Sequence, residues 1–406
     1  MTADLTPPNP PKLPKPAPIS KAFVIDPDVV FLNHGSFGAC PQAILDAQNS
    51  HRIEAERELV RFYIHDAWGK LDRSRNALGG LIGCDPADLV FIHNATTGVA
   101  TVLENLKFDR DDELLVTNSE YPACINNFKR AAQRSGARVV VADLPWPIES
   151  EQQVIDAILQ KVTSRTKIAM VSLLTSSTGT RLPVERLIAT LKEGGVETIL
   201  DAAHGCGCVP MDLNSWGAAY TTGNAHKWLC APKGAAFLHV RKDLQAGFTP
   251  LVFSNDAFNL EEAAARSGRS AFNHAFDYAG TDDISAYLTI ADCIDWMEST
   301  IEGGIAGNMN RNRELCLRGR DVICAALGAT PPVPDSMLGP LSTIDLDTGG
   351  MGASEIKDRL ESEFHIQIPV WGTPAGTVAV RISVQAYNSM EQYEYLAGAL
   401  KKILTR

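Results

Sequence analysis

The sequence predicts an α/β fold: a large domain with a mostly parallel, seven-stranded sheet between helices, followed by a small α+β domain at the C-terminus. Three observations predict it. Between Ala22 and Phe253, short β-rich runs alternate with amphipathic helical patterns. The β-rich runs are continuously apolar, as strands are when both faces of a parallel sheet are covered. Beyond Asp283 long helical patterns take over and the strands become few. At 406 residues with 45% hydrophobic content, the chain is long enough for two domains and for a sizeable core.

Residues 1–20 are rich in proline and poor in large apolar groups, so a disordered or extended arm is expected there. They lack the apolar stretch of a signal peptide. The large domain is expected over 21–283, its N-terminal part packing with the small domain. The first strand reads Leu89 to His93, and a helix starts near Thr96 with Val99, Val102, Leu103 and Leu106 on one face. Strands at Glu113–Thr117 and Arg138–Ala142 enclose a helix around Ala123 to Gln133. Lys167–Leu173 is a strand, and Pro183 opens the next helix. Glu197–Leu200 closes on Asp201, and strands at Ala218–Thr222 and Ala235–Val240 complete the set of seven. The small domain, 284–406, reads as helices at Ile284–Glu298 and Met309–Leu327, a strand at Leu341–Leu346 and a helix at Ser354–Phe364. A strand pair (Ile366–Val370 with Thr377–Ser383) and a final helix, Ser389–Leu404, follow.

Ligands of such sheets sit beyond the carboxyl ends of the strands. Asn94, Tyr121, Asp201 and Lys227 all fall at or near those ends. Alone, an Asp at a strand end is an ordinary turn residue and a His-Lys pair is an ordinary surface. Together, in order, they match what pyridoxal phosphate (PLP) needs. Lys227, in Asn224-Ala-His-Lys-Trp228, supplies an amine for a Schiff base with the cofactor aldehyde. Asp201, in Asp201-Ala-Ala-His204, supplies a carboxylate that keeps the pyridinium nitrogen protonated, so that the ring draws electrons. Asn94-Ala-Thr-Thr-Gly98 opens a helix whose free amides and hydroxyls suit a phosphate; simple capping is the competing explanation. Tyr121 follows a strand and can stack on a ring. His204 is placed to reach the ring's phenolic oxygen. Arg381 stands alone in the apolar run Val378–Ser383 and needs an anionic partner, either a substrate carboxylate or a structural ion pair.

These segments, with Phe31-Leu-Asn-His-Gly-Ser-Phe-Gly38, Ser119-Glu-Tyr-Pro122, Thr178-Gly179, Gly280-Thr-Asp282 and Tyr387, resemble the class V branch of fold-type I PLP enzymes. That branch includes cysteine desulfurases and selenocysteine lyases, and within it the likeness runs to isopenicillin N epimerase and related C–S lyases. The resemblance spans nearly the whole chain after the proline-rich start. It implies Lys227, Asp201, His204 and Tyr121 as catalytic residues. It implies a cofactor site of Ala95, Thr96, Tyr121, Ser176, Asp201, His204, Asn224, His226 and Lys227, with Thr281 reaching the phosphate of a partner subunit in a homodimer. It implies Asn33, His34 and Arg381 around the substrate. Desulfurases carry a reactive cysteine on the loop before the arginine strand; here His365–Gly376 has none, so persulfide formation is not expected.

The resulting expectation is an enzyme acting at the α-carbon of an amino acid, isopenicillin N epimerase-like. A C–S β-lyase, an aminotransferase and a degenerate PLP-fold scaffold are the alternatives. A net charge of −11 with no basic stripe argues against nucleic acid. No apolar run is long enough to span a bilayer. Nine scattered cysteines read as reduced thiols in the cytoplasm, and their spacing is not that of a metal site.

Overall fold

The computed structural model describes residues 12–373 and 376–405; residues 1–11 of the proline-rich segment, and 374–375 of the cysteine-free loop, lie outside them. Twelve strands form among the described residues: β1 (Val30–Phe31), β2 (Leu89–Ile92), β3 (Glu113–Thr117), β4 (Arg138–Ala142), β5 (Thr166–Ser172), β6 (Glu197–Ala202), β7 (Tyr220–Asn224), β8 (Ala236–Val240), β9 (Leu341–Leu346), β10 (Ile366–Gln367), β11 (Val370–Gly372) and β12 (Val378–Ser383).

Seven of them make the central sheet, in the order β2-β8-β7-β6-β5-β3-β4. Every pairing is parallel except the two made by β8. The reason is the length of its connection. Only Ala225 to Ala235 separates β7 from β8, too little for a crossover back to the other end of the sheet. The chain therefore reverses beside β7, and that short reversal is where Lys227 sits.

Alternate residues of each strand feed opposite faces. On β5, Ile168 and Met170 join one apolar cluster with Val99, Val102 and Phe128, while Ala169 and Val171 join another with Leu78, Leu187 and Ile188. Both faces are thus covered by helices, as the continuous apolar runs required.

The smaller sheet is antiparallel, β11-β12-β9, and packs with the helices Gly304–Leu327, Ala353–Phe364 and Met390–Leu404. The expected strand at Ile366–Val370 is divided. Its first half, β10, pairs in parallel with β1, and only Val370 onward pairs with β12. Pro369 lies between and has no N–H to continue a ladder. Val30 and Leu32 consequently belong to the C-terminal cluster. The chain ahead of β1 follows them: Ala17 N–H donates to Tyr387 O at 2.9 Å and Ser389 Oγ to Lys15 O at 2.6 Å. The helical pattern from Ile284 is also interrupted, into Ser285–Leu288 and Ile290–Thr300. Two sixteen-residue helices, Gln42–Arg57 and Ala67–Ile82, add to the larger apolar cluster, the second of them packing on β2.

Candidate active site

A cavity of about 630 Å³ opens at the carboxyl ends of the strands, between the two sheets. Its floor comes from β5 to β7 and its walls from four helix starts and β12.

The first wall is the N-terminus of the Ala95–Asn105 helix. Asn94 caps it, its side chain accepting from Thr97 N–H at 2.8 Å. Asn224 Oδ1 accepts from Ala95 N–H at 2.8 Å, and Gly98 N–H bonds Asn94 O. Among the described residues, the Thr96 amide has no protein acceptor. An eleven-residue helix with one such amide facing a cavity is suited to an anion. The helix can lie this close to the sheet because residue 98 is glycine; a Cβ there would stand 2.1 Å from Thr222 Oγ1.

Asp201 lies one residue from the end of β6 on the floor and is 4% exposed. Ala203 N–H donates to its Oδ1 at 2.9 Å, and Cys124 Sγ stands 3.6 Å from Oδ2. Burial raises its pKa, and no cation touches it among the described residues. Beneath it, Glu120 is buried against Thr117 and Ser172, and burial pushes its carboxyl up to about 8.

Lys227 follows β7 in the short helix Ala225–Trp228. Its Nζ is 3.1 Å from His204 Nε2. Burial brings its pKa down to about 8, against the opposing attraction of Asp201. The local backbone is tightly set. Cys230 takes a positive φ of 58°, and a Cβ at Gly38 would come within 2.1 Å of His226 O.

Arg381, on β12, forms the opposite wall. It is 1% exposed, donates to Ser176 O and to Ser36 Oγ (3.2 Å), and lies over the Trp371 ring at 4.9 Å. Its Nε has no partner, and no carboxylate pairs with it among the described residues. The structural ion pair left open by the sequence is therefore absent there, and a buried cation faces the cavity. Burial lowers its pKa to about 10, so it stays charged at neutral pH.

The cavity thus gathers Ala95, Thr96, Tyr121, Ser176, Asp201, His204, Asn224, His226, Lys227 and Arg381. Of the residues expected at this subunit's own site, two do not join them. His34 is fully buried behind Lys227, one nitrogen 2.8 Å from Tyr387 Oη and the other 2.9 Å from Lys227 O. Burial holds it neutral, with a pKa near 3. It holds the lysine's backbone and does not line the cavity. Asn33 caps the following turn and accepts from Ser36 Oγ, so Gly35, Ser36 and Phe37 line the cavity in its place. Thr281 lies outside, on a second cavity of about 410 Å³ with Phe91, Leu251 and Tyr287. Cys124, Ser172 and Glu120 escaped the sequence reading. Glu120 stands inside the Ser119–Pro122 segment, but nothing local marks it as turned inward beneath Asp201.

The model of the aminotransferase class V family matches residues 41–396. The chain belongs to that family. It is 30% identical to a probable chloroplastic L-cysteine desulfhydrase of Arabidopsis thaliana, over 93% of this chain and 84% of that one. It is 29% identical to isopenicillin N epimerase of Streptomyces clavuligerus, over 93% and 96%. Among solved structures, C-DES with glycine covalently linked to its PLP cofactor superposes with a TM-score of 0.74 at 18% identity, covering 92% of this chain and 96% of that one. The protein is accordingly a fold-type I PLP enzyme. Its donor set fits that cofactor on its own terms: among the described residues, a helix start with an unmatched amide, a buried carboxylate that no cation touches, and an amine of lowered pKa share one cavity. When bound there, PLP supplies an electron sink for charge released at the substrate's α-carbon.

Proposed function

We propose that the enzyme takes an amino acid with a sulfur substituent on its β-carbon, removes the α-proton with Lys227, and expels the sulfur group. The observation that carries this reading is Arg381, a buried cation without a counter-ion among the described residues, lining the same cavity as Lys227. A carboxylate held by its planar fork orients the α-carbon toward a base. Asp201 would hold the ring nitrogen, and Thr96, with His226 beside it, the phosphate. Tyr121, 48% exposed at the cavity wall, would cover the ring.

In the reaction the α-proton passes to the lysine amine, and the C–S bond breaks with its electron pair on sulfur, which leaves as a thiol. One water is consumed and pyruvate and ammonia are released. Elimination needs one base and a leaving group. Epimerisation needs in addition a proton returned on the opposite face, by a second acid or by a mobile lysine. His204 is bonded to Lys227 and so shares its side, and His34 is turned away. Tyr121 is left as the acid that a two-base epimerase would use.

The test is incubation of the PLP-loaded enzyme with L-cysteine, its S-substituted derivatives and isopenicillin N in deuterium oxide. Pyruvate and thiol in equal amounts support the lyase. Deuterium at the α-carbon with inversion and no pyruvate would replace it with the epimerase, and dependence on an added 2-oxo acid would point to transamination.

The reading extends to a cytoplasmic homodimer with small-molecule partners. Nine unpaired cysteines suit a reducing compartment. The exposed run Leu251, Val252 and Phe253 beside Thr281 suits a partner subunit whose phosphate Thr281 would reach. Thr281→Ala should then speed PLP loss from the dimer, and unchanged retention would remove the shared site. Among the described residues no helix is long and apolar enough to cross a membrane.

A further inference from the structure

We propose that Trp228 is a positioning residue whose indole N–H fixes the tautomer of His204, leaving that ring's one proton on Nε2 and aimed at the amine of Lys227. The inference rests on Lys227 being the reacting amine.

The geometry leaves little choice. Trp228 Nε1 lies 3.1 Å from His204 Nδ1. An indole N–H can only donate, so Nδ1 must keep its lone pair. His204 is 2% exposed, and burial, followed by the nearby charges of Lys227 and Arg381, drives its pKa well below the ordinary value. The ring is therefore neutral, and a neutral imidazole with a bare Nδ1 carries its proton on Nε2. That nitrogen is the one 3.1 Å from Lys227 Nζ. An ammonium has no lone pair with which to receive this proton, whereas the free amine does. The bond thus favours the unprotonated lysine, the form that attacks an aldehyde and accepts a proton.

Trp228 has no room to turn away. It is fully buried, with the His34 ring centred 5.0 Å from its own. Its backbone is pressed by Gly207, where a Cβ would stand 2.7 Å from Trp228 C. The reversed tautomer would set two buried N–H groups against each other, a penalty of about ten- to a hundredfold in population. The same Nε2–H is also the one donor His204 offers to an anionic ligand atom entering the cavity.

A plain core tryptophan would serve packing alone, and the test separates the two. Protein labelled with [15N]histidine is compared with Trp228→Phe, both PLP-loaded and PLP-free, by long-range 15N–1H correlation. The expected wild-type pattern for His204 is a bare Nδ1 and a protonated Nε2. In Trp228→Phe the Nδ1–H tautomer should rise from under about a tenth to about half, since its penalty is gone. Turnover should fall about tenfold with KM within about twofold, the split expected when a proton-transfer partner is misdirected. If Trp228→Phe does not fold, 3-benzothienylalanine at position 228 keeps the indole's shape with sulfur in place of N–H. An unchanged tautomer in either variant, or Nδ1–H in the wild type, overturns the proposal. Failure of the Lys227 reading would show separately, as cofactor attached to another lysine, and leaves the tautomer measurement intact.

Discussion

Replacing Arg381 by Met keeps an unbranched apolar stem of similar width and removes the guanidinium alone. In the wild type that group is fully buried, stacked on Trp371, and without a carboxylate among the described residues. A substrate carboxylate would complete it through two charge-assisted hydrogen bonds. Each such bond contributes about 1.5–3 kcal/mol. Water refills part of the vacated space, so the net loss is about 2–4 kcal/mol, or about 30- to 1,000-fold in substrate affinity. Arg381→Lys keeps the charge but not the fork, and about tenfold should be lost. The assay is titration of the cofactor's visible absorbance with an amino acid and with the matching amine that lacks the carboxylate. Wild type should discriminate strongly between them, and Arg381→Met should bind both about equally. Amino-acid affinity within threefold of wild type in Arg381→Met would mean that Arg381 holds no carboxylate and is a tie between Ser176 and Ser36.

Competitive acylation of the PLP-free protein, mapped on the Lys227 peptide, should titrate with a midpoint near pH 8 and not near 10.5, because burial disfavours the ammonium. By linkage the unfolded chain binds more protons between those values, so this lysine's contribution to stability is unfavourable below pH 8 and recovers as pH rises toward 10.5. Gly98→Ala should cost about 1–3 kcal/mol in denaturant unfolding and weaken PLP binding, since the new Cβ pushes the helix start off Thr222; adding Thr222→Ala should restore part of both. Asp201→Asn should still capture PLP yet lose most turnover, and near-normal rates would mean that Asp201 does not face the ring nitrogen.

Much of the fold was legible because its signals are local. The seven apolar runs became the seven strands of the central sheet, and Asn94, Asp201 and Lys227 stand near strand ends where the periodicity put them. What escaped depends on contacts between distant segments. Nothing within Ala236–Val240 states that it runs antiparallel; the shortness of Ala225–Ala235 does. β1 is two residues long and is defined only by β10, more than three hundred residues away. His34 sits in a motif that resembles a substrate-facing turn, but its burial follows from Tyr387 and the backbone of Lys227 closing on it. The choice between a counter-ion and a substrate for Arg381 required knowing every carboxylate near it, which one strand's sequence does not contain.

Borohydride reduction of the PLP-loaded protein, followed by mass mapping of the pyridoxyl adduct, tests the central claim most directly. A single adduct is expected on the peptide carrying Lys227, absent from Lys227→Ala together with the visible absorbance. An adduct on another lysine, or no chromophore after PLP is added, would contradict it.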